Sequence, residues 1–383
     1  MSKIGALLIA FFILDGFQLA VARQPDSEPT PLQYFGLHIH RADQGTAWPS
    51  VPFGSWRLWD AYVGWSRLEP ERGQWDFSRL DRYVAMASLT RTDLLLPLAV
   101  TPPWASARPQ EVNAYQPGNA AEPARLADWT NYVEKVGVRY RGRIKNYEIW
   151  NEPSDKTHYT GSVEALVKLA CEARRVLKAI DPEIRIVSPA SAGAGGHVAY
   201  LERFLKAGGK DCIDVVAHHF YVPRFGPEAM VPIIRQVREV MQKNGVGHLP
   251  LWNTETGWWI ANSDGTPEDT RLARGWRRLE QKQEAGEVLQ RAFILARAEG
   301  VDRFYWYAWD NGNMGLIEPS LGSLKPAAGA WIKAVNQMKG KVVKGCTRSL
   351  AGQWSCELMD VDRSVEVFQW DEGDGMKPRE GDR

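Results

Sequence analysis

Two glutamates far apart in the chain sit in matching surroundings: Glu152 in Tyr147-Glu148-Ile149-Trp150-Asn151-Glu152-Pro153, and Glu255 in Leu251-Trp252-Asn253-Thr254-Glu255-Thr256-Gly257-Trp258. Each closes a short apolar strand pattern, so each would bring one carboxyl group to the rim of a sheet. A pair of carboxyls is what cleavage of a glycosidic bond requires. When configuration is retained they stand roughly 5 to 5.5 Å apart, one protonated to release the leaving group and one ionised to attack the anomeric carbon. Their surroundings must then pull the two pKa values apart.

Positioning such a pair demands a scaffold, and strand-like and helix-like patterns alternate along the chain. Strands are expected at Tyr34 to Ile39, Ser55 to Trp59, Asp93 to Val100, Ile144 to Asn151, Ile184 to Pro189, Ile213 to Phe220, His248 to Thr254 and Arg303 to Trp309. Helical stretches lie between them. Val163, Leu166, Val167, Ala170, Leu177 and Ile180 recur at intervals of three and four and mark one apolar face. Strands separated by helices pair in parallel, and eight repeats imply an α/β fold closed as a (β/α)8 TIM barrel over residues 34–338, whose catalytic groups project from the C-terminal strand ends. A doubly wound sheet would show a Gly-rich phosphate turn after an early strand, and none is present. Beyond residue 338 short alternating pieces imply a small β appendage over 339–383 that ends in a disordered tail.

With both glutamates at such strand ends, and Asn-Glu-Pro as the most specific motif, the chain resembles the clan A glycoside hydrolases, (β/α)8 retaining enzymes that include family 5 cellulases and family 39. The resemblance covers most of residues 34–338. It implies Glu152 as general acid/base and Glu255 as nucleophile. It further implies that Arg57, in Ser-Trp-Arg-Leu-Trp-Asp, holds the nucleophile ionised, and that Asn151 binds the sugar 2-hydroxyl. His219 and Tyr221 reproduce a His-x-Tyr pattern, with the phenol near the nucleophile and the imidazole on the sugar, while His218 faces the helices. Trp306 is expected to stack on a sugar ring, with Trp309 its alternative in the opposite phase. Trp104 and His38 stand equally as subsite residues or as packing. Long segments at 105–122 and at Trp258 to Arg278 depart from a minimal barrel and leave the sugar open.

Composition narrows the partners. The 47 basic and 46 acidic residues leave a formal charge of +1, which gives no electrostatic footprint for nucleic acid or an anionic membrane. A polysaccharide or oligosaccharide is the expected partner, and neither metal nor organic cofactor is expected, because the seven histidines form no ligand-spaced cluster. Residues 1–22 have a signal-peptide layout, with Lys3, an apolar stretch from Ile4 to Leu14 and Ala20-Val21-Ala22, so a secreted or periplasmic protein with no membrane contact after cleavage is expected. A flexible lead-in is expected at 23–33. Cys346 and Cys356 flank a hairpin and are expected to pair, while Cys171 and Cys212 either pair or stay as buried thiols. Seventeen tryptophans exceed what a core needs, so some are expected to line a surface or cleft. Hydrolysis is the leading expectation. A transglycosylase would differ only in its acceptor, and a non-catalytic carbohydrate-binding or exopolysaccharide-assembly protein could use the same barrel.

Overall fold

The computed structural model describes residues 28–269 and 275–372. Its main sheet contains β1 (Phe35–His38), β2 (Ser55–Arg57), β3 (Asp93–Leu98), β4 (Asn146–Ile149), β5 (Arg185–Val187), β6 (Ser191–Ala192), β7 (Val216–His219), β8 (Leu251–Thr256) and β11 (Val301–Trp306). The order is β5-β4-β3-β2-β1-β11-β8-β7-β6, and every pairing is parallel. β5 and β6 are two halves of one barrel strand. Val187 bridges Val215 and Asn151 bridges Ala190, which joins the two edges and closes the barrel. β3 reads Asp-Leu-Leu-Leu-Pro-Leu and is buried from Leu94 to Leu98, as expected of a strand covered on both faces.

Helices α1 (Trp65–Leu68), α2 (Ser78–Thr90), α3 (Leu126–Arg139), α4 (Val163–Ile180), α5 (Gly196–Lys206), α6 (Met230–Lys243), α7 (Glu284–Ala298) and α8 (Pro326–Met338) wrap the barrel. The crossover from β1 to β2 contains no helix, a departure from strict repetition. α4 starts at Ser162, whose hydroxyl accepts the Ala165 N–H at 3.1 Å, and it buries Leu166, Val167, Ala170 and Leu177 as the periodicity requires. α3 comes so close that a β-carbon on Gly137 would stand 2.7 Å from Leu177 Cδ2, so a larger residue there would force the ends of Leu177 and Ile180 to shift.

Most tryptophans turn out to be core. Trp56, Trp65, Trp129, Trp150, Trp252, Trp258, Trp306, Trp309 and Trp331 are among the largest fully buried side chains. Their use follows from the loops. Trp150 donates to His158 O, Trp258 to Phe225 O, Trp309 to Ala47 O and Trp331 to Pro52 O, so a buried indole both fills volume and clips a neighbouring loop.

Beyond the barrel, β12 (Val342–Arg348), β13 (Gln353–Met359) and β14 (Val365–Asp371) form an antiparallel sheet. It docks through Trp370, stacked on Trp354 and hydrogen-bonded to Glu228 at 2.8 Å. The short pair β9 (Trp259–Ile260) and β10 (Arg278–Leu279) lies in the long segment after β8. Of the lead-in expected at 23–33, residues 23–27 lie outside the described residues, as do the leader at 1–22 and residues 373–383. Thr30 exchanges backbone hydrogen bonds with Gly340 and Lys341, which holds the remaining part of that lead-in in place.

Both cysteine pairs are joined. Cys346–Cys356 links directly paired residues of β12 and β13, and Cys171–Cys212 ties α4 to the segment before β7 across a separation of 41 residues. Loop-closure entropy puts the long link at about 4 kcal/mol and the ten-residue link at about 3. Replacing Cys171 and Cys212 together by alanine is expected to cost more stability in chemical denaturation than the same change at Cys346 and Cys356.

Candidate active site

The site is built round Arg57, which ends β2 and is fully buried. Its guanidinium donates through Nε to Glu148 Oε2 at 2.6 Å, through Nη1 to Glu255 Oε2 at 2.8 Å and through Nη2 to Asn151 Oδ1 at 2.7 Å. One side chain thus joins the C-terminal ends of β2, β4 and β8. Tyr221 donates its hydroxyl to the other oxygen of Glu255 at 3.0 Å. Glu255 therefore receives a donor on each oxygen, and its charge is matched by a cation it touches.

Glu152 lies just past β4, with a left-handed backbone at φ 45°, and its amide is held by Ala190 O at 2.9 Å. His219 Nδ1 stands 2.9 Å from Glu152 Oε1, and His158 Nε2 is 3.8 Å from Oε2. The two carboxyls and a ring nitrogen of His219 bring atoms to within 4.8 Å of one another. Asp60, Tyr62, Val100 and Trp150 also hold positive φ at this end of the barrel, so unfavourable backbone is concentrated at the site.

Burial and the nearby charge of Glu152 push the Glu255 carboxyl up to about 8, against the pull of Arg57. The pair thus retains one proton at neutral pH, and hydrogen bonding decides where it sits. Thr254 spends its hydroxyl proton on Glu148 Oε1 at 2.8 Å, so His219 Nε2, 3.2 Å from that same hydroxyl oxygen, must be the donor between them. Burial, and then the charge of Arg57, hold the imidazole neutral. Burial raises the Glu152 carboxyl, but the His219 hydrogen bond and the charges around it outweigh burial and draw it below its ordinary value. Neutral and donating at Nε2, the ring instead presents Nδ1 as an acceptor to a protonated Glu152. The chain from Glu148 through Thr254 and His219 thus supplies an orientation in which Nδ1 faces Glu152 as an acceptor, while Arg57 and Tyr221 both donate to Glu255.

Asn151 has its amide oxygen fixed by Arg57, and no hydrogen bond engages its NH2 among the described residues, so a donor is left for a ligand. His219 backs Glu152 with both ring nitrogens occupied and is fully buried, so it supports the Glu152 carboxyl where sugar contact was expected. His218 turns away to Gly193 O at 2.7 Å. His38 is buried beneath the site, with Nε2 3.0 Å from Thr254 O, and steadies the relay threonine. Trp104 hydrogen-bonds Glu69 O and lies under the Arg72 guanidinium at 4.3 Å, a packing role. Trp306 is fully buried, stacks on Trp258 and donates to Met314 O, so it has no face open to a sugar. Strand alternation shifts that place by one residue to Tyr307, whose hydroxyl donates to Asp60 at 2.7 Å.

Tyr307 and Asp60 border a cavity of about 600 Å³ lined also by Trp59, Tyr62, Arg67 and Tyr115. Tyr115 comes from the long 105–122 segment, and Trp276, from the segment after β8, meets Tyr221 edge-on at 5.4 Å. Sequence reasoning passed over Glu148, Thr254, Tyr307 and Asp60. Glu148 left a signal, because an ionisable residue inside Tyr-Glu-Ile on a buried strand must meet a partner, and Arg57 is that partner. Glu152, His219 and Glu255 would offer ligand atoms to a metal, but the guanidinium bound to Glu255 opposes a cation there.

The glycosyl hydrolases family 39 model matches residues 58–265. A beta-xylosidase of Caldicellulosiruptor saccharolyticus is 30% identical over 112 residues, 27% of this chain and 22% of that protein, so the match spans about a fifth of the relative. Among solved structures, a family 39 glycoside hydrolase from Bacteroides cellulosilyticus WH2 superposes with a TM-score of 0.66 at 18% identity, over 90% of this chain and 71% of that one. A monomeric beta-xylosidase from Caulobacter crescentus CB15 gives 0.63 at 22% identity, over 87% and 75%. These structural likenesses are likenesses of fold.

The raised Glu255 carboxyl has a thermodynamic consequence. Its folded-state pKa, about 8, exceeds its ordinary value of 4.5, so the folded protein binds the extra proton and loses stability as pH rises through that window. Glu255→Gln removes this loss. Thermal melts from pH 5 to pH 9 are expected to show the variant gaining on wild type steadily as pH rises, and a pH-independent difference would contradict the shared-proton description.

Proposed function

Because the chain belongs to glycosyl hydrolases family 39, we propose that it is a retaining glycosidase acting on β-linked oligosaccharide or polysaccharide, with xylosides as the first substrates to test. The observation that supports this most is the pairing of Glu255, clamped between Arg57 and Tyr221, with Glu152, backed by neutral His219, their oxygens within 4.8 Å. That distance suits retention, since inverting pairs stand about 6.5 to 9.5 Å apart to admit a water.

In the first step a Glu255 oxygen bonds to the anomeric carbon as the glycosidic C–O bond breaks, and the leaving oxygen takes the Glu152 proton. The charge on Glu255 passes into a neutral ester, and a new charge appears on Glu152. In the second step water gives a proton to Glu152 and its hydroxyl oxygen bonds to the anomeric carbon, which releases Glu255 with its electron pair. The free NH2 of Asn151 suits the sugar 2-hydroxyl, and Tyr307, Trp59, Tyr62 and Tyr115 supply aromatic lining for further sugar units. The reading includes export, supported by the two disulfides.

Purified protein is to be assayed on aryl β-xylosides and on β-linked polymers. Glu255→Ala is expected to fall to background on all of them. Glu152→Ala should lose roughly 10² to 10⁴-fold on substrates with poor leaving groups, far less with dinitrophenolate, and regain rate with azide. No turnover by wild type on a broad β-linked panel would remove the glycosidase reading. Thr254→Val probes the relay: once Nε2 has lost its acceptor, His219 shifts its proton to Nδ1, donates to Glu152 and lowers its pKa. The alkaline limb of kcat/KM is expected to move to lower pH, whereas a fall in rate with no movement of that limb would mean Thr254 only packs.

A further inference from the structure

At the opposite end of the barrel, where the strands begin, lies a second cavity of about 580 Å³. Asp93 opens β3, Lys145 precedes β4, Arg185 opens β5 and Arg303 lies near the start of β11, so the cavity is the floor of the barrel. Six basic and three acidic side chains line it, an excess of positive charge on a chain whose formal net charge is only +1. All three acids are already engaged. Asp93 accepts from Arg303 at 2.5 Å and from Asn146, while Asp302 faces Arg297 at 3.6 Å and accepts the Leu251 N–H.

Arg91, Lys145 and Arg185 have no acidic side chain at ion-pair distance among the described residues. Arg185 is half-buried, and its guanidinium lies over the Trp252 ring at 5.5 Å. The Arg303 guanidinium lies over that ring at 4.2 Å. Two guanidiniums thus share one indole with a single carboxylate, Asp93, between them. Burial, and then the Arg303 charge, draw Arg185 below the usual arginine range, whereas Arg303, which donates to Tyr305 and Asp93, is drawn up. In a concave site partly screened from water such like charges repel, and a planar or tetrahedral oxyanion bridging them through charge-assisted hydrogen bonds turns repulsion into attraction.

We propose that the barrel floor binds a compact oxyanion of the phosphate class, held by Arg185 and Arg303 against Trp252, with Lys145 and Arg91 closing on its outer oxygens. The cavity admits either inorganic phosphate species or the phosphoryl group of a sugar monoester. Glu152, Glu255 and their partners lie at the other end of the strands, so the ligand serves a function separate from the glycosidic chemistry, tying together the starts of β3, β4, β5 and β11.

The full chain is to be titrated with sodium pyrophosphate and with glucose 6-phosphate at constant ionic strength, by calorimetry and by thermal melts, with chloride as the control. Saturable binding and a rise in Tm beyond that in chloride are expected with at least one of the two, and the tighter one identifies the source of the phosphoryl group. Arg185→Gln and the exposed Lys145→Gln are each expected to weaken binding at least about tenfold, the loss of one charged hydrogen-bonding partner, while leaving wild-type activity on any glycoside substrate unchanged. Arg185→Gln should also melt higher than wild type without ligand and lower with pyrophosphate, a crossing that simple structural damage does not produce. Shifts no larger than those in chloride, or equal affinity in wild type and both variants, would overturn the proposal.

Discussion

The Arg57 guanidinium is the interaction on which the site depends. It is fully buried, and it meets Glu148, Glu255 and Asn151 on β4, on β8 and just beyond β4. Burying a cation costs several kcal/mol unless it is paired and its donors are satisfied, and removing one member of such a set leaves an uncompensated charge. Every donor nitrogen of Arg57 finds an acceptor here. The arrangement adds little to net stability and much to geometry, because each acceptor is fixed in orientation by the same rigid plane.

One cation facing two acidic side chains cannot neutralise both, and the rest of the network follows from that imbalance. Glu148 takes a second donor from Thr254, Glu255 takes one from Tyr221, and Glu152 is left facing neutral His219. The buried histidines His38 and His219 stay uncharged because burial penalises the imidazolium and the charge of Arg57 adds to that penalty. Unequal roles for two chemically identical carboxyls thus arise from which neighbours are left to donate, as acid–base pairs require.

Much of this was legible in the residues. The alternation of strands and helices reports a parallel barrel because parallel neighbours need crossovers, and Glu152 and Glu255 announce themselves by ending strand patterns in matching Trp/Asn settings. Glu148 was less visible, because a single acidic residue in an apolar strand reveals that a partner exists and not which one. Trp306 and Tyr307 differ by one position, and a period of two turns that small error into the opposite face. Some tryptophans do line the cleft, Trp59 among them, but how many serve the core was not visible, because hydrophobic counting does not foresee carbonyls of neighbouring loops placed to accept the indole N–H.

The sequence by itself determined the fold class, the two glutamates, the arginine and the tyrosine that attend Glu255, and the Cys346–Cys356 link, because each rests on local pattern or on spacing within one element. Tertiary structure alone decided the Cys171–Cys212 link, the partners of Glu152, the burial of His219 and Trp306, the packing of Trp104, and the floor cations Arg91, Lys145 and Arg185 that meet no acidic side chain among the described residues. These depend on distances between side chains from separate strands, which are set when the barrel closes and its staggered ends come together.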